Sequence, residues 1–210
     1  MGNVQMLLRQ HVGAPCAPCV EVGAEVKKGT LIATPTGLGA NIFSSVYGKV
    51  TEITEDRIII EPDAEQPDEF IPVTESVEGI TDESSKLDLV KAAGIVGMGG
   101  AGFPTHVKLA PKDPSKIEYI LVNGAECEPY ITSDYRRMIE EPEKVVKGLQ
   151  VILTLFDSAK GYICIEDNKP DCIAKMKELV KDIDRIEVKE MMTKYPQGGE
   201  RTLIYATTGR

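Results

Sequence analysis

The chain has 210 residues, 42% of them apolar, which suits one large or two small packed domains and excludes a disordered chain. A formal charge of −9 repels polyanions, and no basic stripe offsets it, so nucleic acid is excluded as a general partner. No apolar run approaches the roughly 20 residues of a membrane-spanning helix, so no direct membrane insertion is expected.

Met1-Gly2-Asn3 resembles a myristoylation start, but Met6 stands where Ser or Thr is needed and no signal peptide follows. The N-terminus is read as unprocessed. Short β-rich runs then alternate with turns over Val20–Val26, Leu31–Ala33, Ile42–Tyr47, Val50–Ile53 and Ile58–Ile60, predicting a small all-β module. The pieces that begin at Val22 and Ser45 resemble each other, each a strand broken by a glycine turn, which suggests two interlocked halves. From Arg57 the next basic residue is Lys86, and the acids between them are punctuated by Pro62, Pro67 and Pro72. Such a stretch covers a surface or links domains. The boundary is placed near residue 75, giving domains 1–75 and 76–210.

After it, Ser85 caps a helix through Ala93, Ile117–Val122 reads as a strand, and Pro142 opens a helix to about Phe156. Tyr162–Ile165 is a second strand, Pro170 starts a helix to about Ile183, Arg185–Lys189 is a third strand, and Arg201–Ala206 is ambiguous. This α/β order favours a parallel sheet with helices on its faces.

Gly97-Met98-Gly99-Gly100-Ala101-Gly102 fits G-x-G-x-x-G, where glycines let backbone N–H groups approach a phosphate. Only Ile95 and Val96 precede it as strand, so it is either a nucleotide loop in an unusual setting or a plain surface turn. Lys108 is a candidate phosphate partner; His106 is either an acid-base group or a packing residue. The strand ending at Val122 runs into Asn123-Gly124-Ala125-Glu126-Cys127-Glu128-Pro129. Its carboxylates suit ribose hydroxyls and its amide suits a flavin or nicotinamide ring, while the bland reading is a solvated polar turn.

The odd count of five cysteines argues against a disulfide framework and for reduced thiols in a cytoplasm. Cys16-Ala17-Pro18-Cys19 has the spacing of a redox pair, which needs a depressed thiol pKa; two incidental thiols are the alternative. Zinc lacks ligands here, since only His11 lies nearby in sequence.

MGGAGFPTHVKL and VNGAECEP together resemble the RnfC family of Rnf electron-transport complexes, which shares its flavin and NADH fold with the flavin-bearing component of respiratory complex I, where the segments read GRGGAGFPTGLK and NADESEP. The opening Gln10-His11-Val12-Gly13-Ala14-Pro15 and the later Tyr195-Pro196-Gln197-Gly198-Gly199-Glu200 also resemble the Rnf-type branch. The resemblance covers essentially the whole chain. It implies an N-terminal barrel-sandwich, biotinyl- or lipoyl-like module, followed by a Rossmann-like three-layer α/β domain. It further implies an NADH:acceptor oxidoreductase component that passes electrons from NADH through FMN to a downstream redox protein or electron-transport complex.

Carried over by position, Gly97, Gly99, Gly100, Gly102 and Lys108 hold phosphate, Phe103 stacks on adenine, and Asn123, Glu126 and Glu128 line the flavin and nicotinamide. Tyr162-Ile163-Cys164-Ile165-Glu166-Asp167 resembles YICGEE, so Glu166 and Asp167 face the cofactor or else end a strand in a polar turn. Met98 replaces an Arg and Ala125 an Asp of the complex I pattern. Family members continue past Arg210 with a C-x2-C-x2-C-x3-C-P run, so 4Fe-4S clusters are expected only in a missing C-terminal region and the chain is expected to be a fragment. The cysteine pair also resembles proline-reductase-associated relatives, with Cys16 and Cys19 as the last relay to a proline reductase. Thr34–Asn41 has no lysine, which disfavours a carrier role. A non-catalytic assembly fragment and a flavin-free thiol relay are the competing functions. The expected location is the cytoplasm, peripheral to a membrane complex in a longer protein.

Overall fold

The computed structural model describes residues 2–98 and 100–210; Gly99, one of the expected phosphate ligands, lies outside the described residues. The chain divides into two compact units, 1–111 and 112–210. The first unit therefore runs past residue 75 and includes the glycine loop.

In the first unit, strands β1 (Val4–Leu7), β7 (Arg57–Pro62), β6 (Gly48–Ile53) and β3 (Glu25–Val26) form one sheet in that order. A second sheet has the order β2 (Cys16–Pro18), β4 (Leu31–Pro35), β5 (Ile42–Phe43). Alternation dictates the inner faces: Ile58 and Ile60 of β7 and Val50 of β6 point inward, while Lys49 and Thr51 face water. They close on Ile32, Ala33 and Ile42 of the other sheet, so the module is an open two-sheet sandwich rather than a closed barrel.

The two similar pieces lie against each other. Glu25 and Val26 pair antiparallel with Lys49 and Gly48, and the Gly23 and Val50 amides donate to the Val50 and Ala24 carbonyls. A side chain at Gly48 would stand 2.2 Å from the Glu61 carbonyl oxygen, so only glycine fits this crossing. The acidic stretch covers a surface of the module: Ile71 donates to the Lys28 carbonyl, the Lys28 ammonium to that of Pro67, and the Tyr47 hydroxyl to that of Glu69.

Helices α1 (Val73–Ser76), α2 (Lys86–Ala92) and α3 (Thr105–Lys108) complete this unit. Ser85 caps α2 by accepting the Asp88 amide at 3.1 Å, as the sequence predicts.

The second unit holds a parallel sheet, β10 (Ile186–Met191), β9 (Lys160–Glu166), β8 (Tyr119–Gly124). The central β9 is buried from Gly161 through Glu166, as a strand covered on both faces must be. Gly161 faces Leu149 and Leu153 of α5 (Pro142–Leu153), and its neighbour Tyr162 faces the opposite side with Cys164, packed with Leu203 of α7 (Glu200–Thr208). Helices thus lie on both faces, the three-layer α/β arrangement, completed by α4 (Ser133–Glu140) and α6 (Pro170–Val180). Among the described residues no helix is long and apolar enough to cross a membrane.

Candidate functional site

The two segments that stand out in the sequence lie in different units, and each builds its own concavity. In the first unit, Val96 and Pro104 form an antiparallel bridge, the Gly97 amide donates to the Phe103 carbonyl at 2.9 Å, and the Thr105 amide donates to that of Ile95. These bonds close the base of the glycine loop. A cavity of about 440 Å³ opens beside it, lined by Gly97, Met98, Gly100 and Gly102 on one side and by Gln10, His11, Asn41 and Phe43 of the sandwich on the other.

A Cβ added at Gly100 would meet nothing within 4 Å, and one at Gly97 nothing nearer than 3.9 Å. The loop therefore leaves open space along its backbone, which a phosphate needs for close approach. Phe103 is 43% exposed, as a ring free to stack must be. Lys108 sits exposed in the last turn of α3, and neither it nor Phe103 lines the cavity. His106 has a buried Nδ1 without a partner; burial first, and the Lys91 charge second, hold its imidazole below the ordinary value. That environment favours a packed, neutral ring over an acid-base group.

The cysteine pair does not meet the requirement of a thiol relay. Cys16 is buried and donates to the Ala40 carbonyl at 3.2 Å, whereas Cys19 is exposed. Burial raises the pKa of both thiols, and the neighbouring Cys19 raises that of Cys16 further. A raised pKa lowers the thiolate fraction, the opposite of what disulfide exchange needs.

In the second unit a cavity of about 450 Å³ opens at the carboxyl ends of β8 and β9, where α/β sheets bind ligands. Glu126, Glu128, Glu166, Asp171, Lys169 and Lys194 supply its charge, and Tyr130, Tyr135 and Tyr195 its aromatic surface.

Glu126 is buried, and its carboxylate accepts the Asp134 amide at 2.9 Å, the Tyr135 amide at 3.2 Å and the Ser133 hydroxyl at 3.2 Å. It is the N-terminal cap of α4, whose own Thr132 makes no side-chain cap bond. Asn123 donates to the Gly198 carbonyl at 2.8 Å and accepts the Ala125 amide at 3.2 Å. Its amide thus ties the end of β8 to the Tyr195–Glu200 segment and does not line the cavity. Gly198 is required there, since an added Cβ would stand 2.2 Å from the Ala125 oxygen.

Glu166 is fully buried and paired with Lys169 at 3.4 Å. Asp167 points elsewhere: its carboxylate accepts the Thr193 hydroxyl at 2.5 Å and the Thr193 amide at 3.1 Å, which together hold its pKa below the ordinary range. Glu128 is exposed; its charge, and then its hydrogen bond, raise the pKa of the Tyr195 phenol. Asp171 accepts the Tyr135 hydroxyl at 2.6 Å and is held low by that bond.

The structure therefore brings Glu126, Glu128 and Glu166 to one cavity and leaves Asn123 and Asp167 off its wall. Sequence reading passed over Lys169, Lys194, Tyr130 and Asp171. Lys169 had a visible signal, a cation three residues after Glu166 across the turn from β9 to α6; Tyr130, at φ 66° and wholly exposed, had none.

The families matched by the chain divide it between residues 67 and 90, ahead of the glycine loop, whereas the compact units divide it after residue 111. Residues 90–210 match the family described as the Nuo51 FMN-binding domain, and residues 2–67 match the RnfC barrel sandwich hybrid domain. The chain is 44% identical over 97% of its length to the C component of the proton-translocating ferredoxin:NAD(+) oxidoreductase complex of Clostridium ljungdahlii, covering 46% of that protein. It is 41% identical over 95% of its length to the C component of the Na(+)-translocating ferredoxin:NAD(+) oxidoreductase complex of Acetobacterium woodii, covering 47% of it. With the C component of the ion-translocating oxidoreductase complex of Pseudomonas aeruginosa it shares 38% identity over 97% of its length and 28% of the relative's. The chain thus spans about half or less of the curated relatives it matches.

Proposed function

Because the chain belongs to the Nuo51 FMN-binding domain family and carries an RnfC-type barrel-sandwich module ahead of that domain, we propose that it is the FMN-bearing, NADH-oxidising part of an Rnf-type electron-transfer complex. The observation that carries this reading is the family match over residues 90–210, joined to identities above 40% with the C components of two such complexes across nearly the whole chain.

The residues present fit such a cofactor in two respects. The glycine loop offers a backbone face that no neighbour fills, and both cavities fall within the size range of small-molecule sites. Bound FMN would supply the chemistry, accepting a hydride from NADH and releasing electrons singly or in pairs.

The chain's own residues would bind and orient. Gly100 and Gly102 would present backbone N–H groups to phosphate, Gly97, whose own N–H is held by the Phe103 carbonyl, would leave room for it, and Lys108, outside the cavity wall, would add positive charge at longer range. Phe103 offers an exposed face to adenine. Glu128 and the neighbouring Tyr195 receive sugar hydroxyls or a ring edge at the mouth of the acidic cavity. Asn123 and Glu126 act one step back, fixing the Tyr195–Glu200 segment and α4. Glu166 and Lys169 form a neutralised floor.

The acceptor we infer is another component of an ion-translocating complex. A proline reductase as acceptor rests only on the Cys16–Cys19 spacing, and the raised thiol pKa values speak against a relay there.

Titration of the full chain with FMN, followed by flavin fluorescence, tests the assignment. Saturation at one flavin per chain is expected, with affinity about twofold lower in Lys108→Met, since a charge outside the cavity wall acts only at longer range. Absence of saturable binding overturns the reading in favour of an assembly fragment with an incomplete pocket.

A further inference from the structure

The sandwich module lacks the carrier lysine, yet its loops grip the glycine segment of the same unit. The Val12 amide donates to the Ala101 carbonyl at 2.9 Å. Gly102, at φ 65°, is buried so closely on the module that an added Cβ would stand 3.0 Å from the His11 Cα and 3.1 Å from the Gln10 carbonyl oxygen. Asn41 reaches the other end, donating to the Ala92 carbonyl at 2.8 Å, and Gly94 at φ 64° packs on the Asn41 backbone.

His11 is the centre of this grip. Its ring is buried, with Nδ1 3.1 Å from the Val12 carbonyl oxygen and Nε2 3.2 Å from the Ala40 amide nitrogen. Nε2 also lies 3.1 Å from the Ala40 carbonyl oxygen: with the proton on Nδ1 the ring donates to Val12 and accepts from the Ala40 amide, and with the proton on Nε2 it donates to the Ala40 carbonyl. The Cys16 thiol then donates to the Ala40 carbonyl, completing the network. Gly39 is glycine for the same reason, since a Cβ there would lie 2.4 Å from the His11 ring.

We propose that His11 is a positioning residue for the glycine loop, and that the sandwich module is the template on which the phosphate subsite of the FMN-binding domain is shaped. This rests on the FMN reading above and gives the module a role distinct from carrying a group or docking a partner. Loss of the His11 network frees Val12, and with it Ala101 and Gly102, so backbone donors leave the geometry that a phosphate requires. The effect is specific to the phosphate end of the ligand.

The test compares FMN with riboflavin, which lacks the phosphate, in the full chain and its His11→Ala, Gly102→Ala and Cys16→Ser variants. FMN affinity should fall about tenfold in His11→Ala and Gly102→Ala, the worth of one lost charge-assisted contact, with riboflavin affinity within about twofold. Cys16→Ser keeps a donor to Ala40 and should retain the FMN preference. Amide hydrogen exchange of the glycine loop should accelerate in His11→Ala.

Parallel weakening of FMN and riboflavin, or unchanged FMN affinity in Gly102→Ala, overturns the proposal. Should His11→Ala fail to fold, Gly102→Ala decides. If the parent chain binds no flavin, the functional reading falls, while the exchange rates still decide whether His11 holds the loop.

Discussion

The glycine loop and the acidic cavity are built by opposite means. The loop works by leaving side chains out: Gly97 and Gly100 border open space, and Gly102 lets two backbones touch. The cavity works by crowding polar side chains together and then binding most of them to each other, Glu166 to Lys169, Glu126 to α4 and Asp171 to Tyr135. A backbone cradle is sensitive to what supports it from behind, while a charged cavity is sensitive to the loss of a single partner. Substitutions should therefore act on binding in the first region and on stability in the second.

The largest effect is expected where a buried charge loses its counter-ion. Lys169→Met leaves the fully buried Glu166 carboxylate unpaired and should lower unfolding free energy by about 3–5 kcal/mol in chemical denaturation. A loss under about 1 kcal/mol would mean the pair is solvated, as surface pairs are. Glu126→Ala removes three hydrogen bonds from the start of α4 and should cost about 2 kcal/mol, with amide exchange faster in the first turn of that helix.

A smaller, pH-linked effect belongs to the first unit. The folded-state pKa of His106 lies below its unfolded value, so the unfolded chain takes up the proton first as pH falls. Stability is fully present above about pH 6.5, the unperturbed imidazole value, and declines below it. His106→Gln should flatten the part of that decline due to this ring, measured by denaturation at neutral and mildly acidic pH; an unchanged profile would assign the decline to carboxylates. The smallest effect is at Cys19, whose raised pKa should make its alkylation near neutral pH slower than that of a free thiol, with buried Cys16 slower still. Fast modification of both would revive the relay.

Much of the fold is legible from local chemistry. Ser85 before α2, Pro142 and Pro170 at the starts of α5 and α6, and the apolar run of β9 each mark an element by a rule acting within a few residues. The failures share a cause. Helix α4 is invisible because its cap is Glu126, seven residues before Ser133 in the loop that follows β8. Strand β5 ends at Phe43 rather than Tyr47 because the Ser44 hydroxyl turns back to the Val46 carbonyl at 2.7 Å. The ambiguous Arg201–Ala206 is part of α7. At the sites, the letters of the glycine loop are plain in the sequence, but its support by His11, far earlier in the chain, is a tertiary fact. Asn123 and Glu126 are also conspicuous as letters; only the structure shows that their polar atoms hold the backbone of neighbouring segments.

The most direct test of the central claim is anaerobic addition of NADH to the FMN-loaded chain while the flavin absorbance is followed. The band should bleach with one NADH per flavin. Bound flavin that stays oxidised in excess NADH would contradict it.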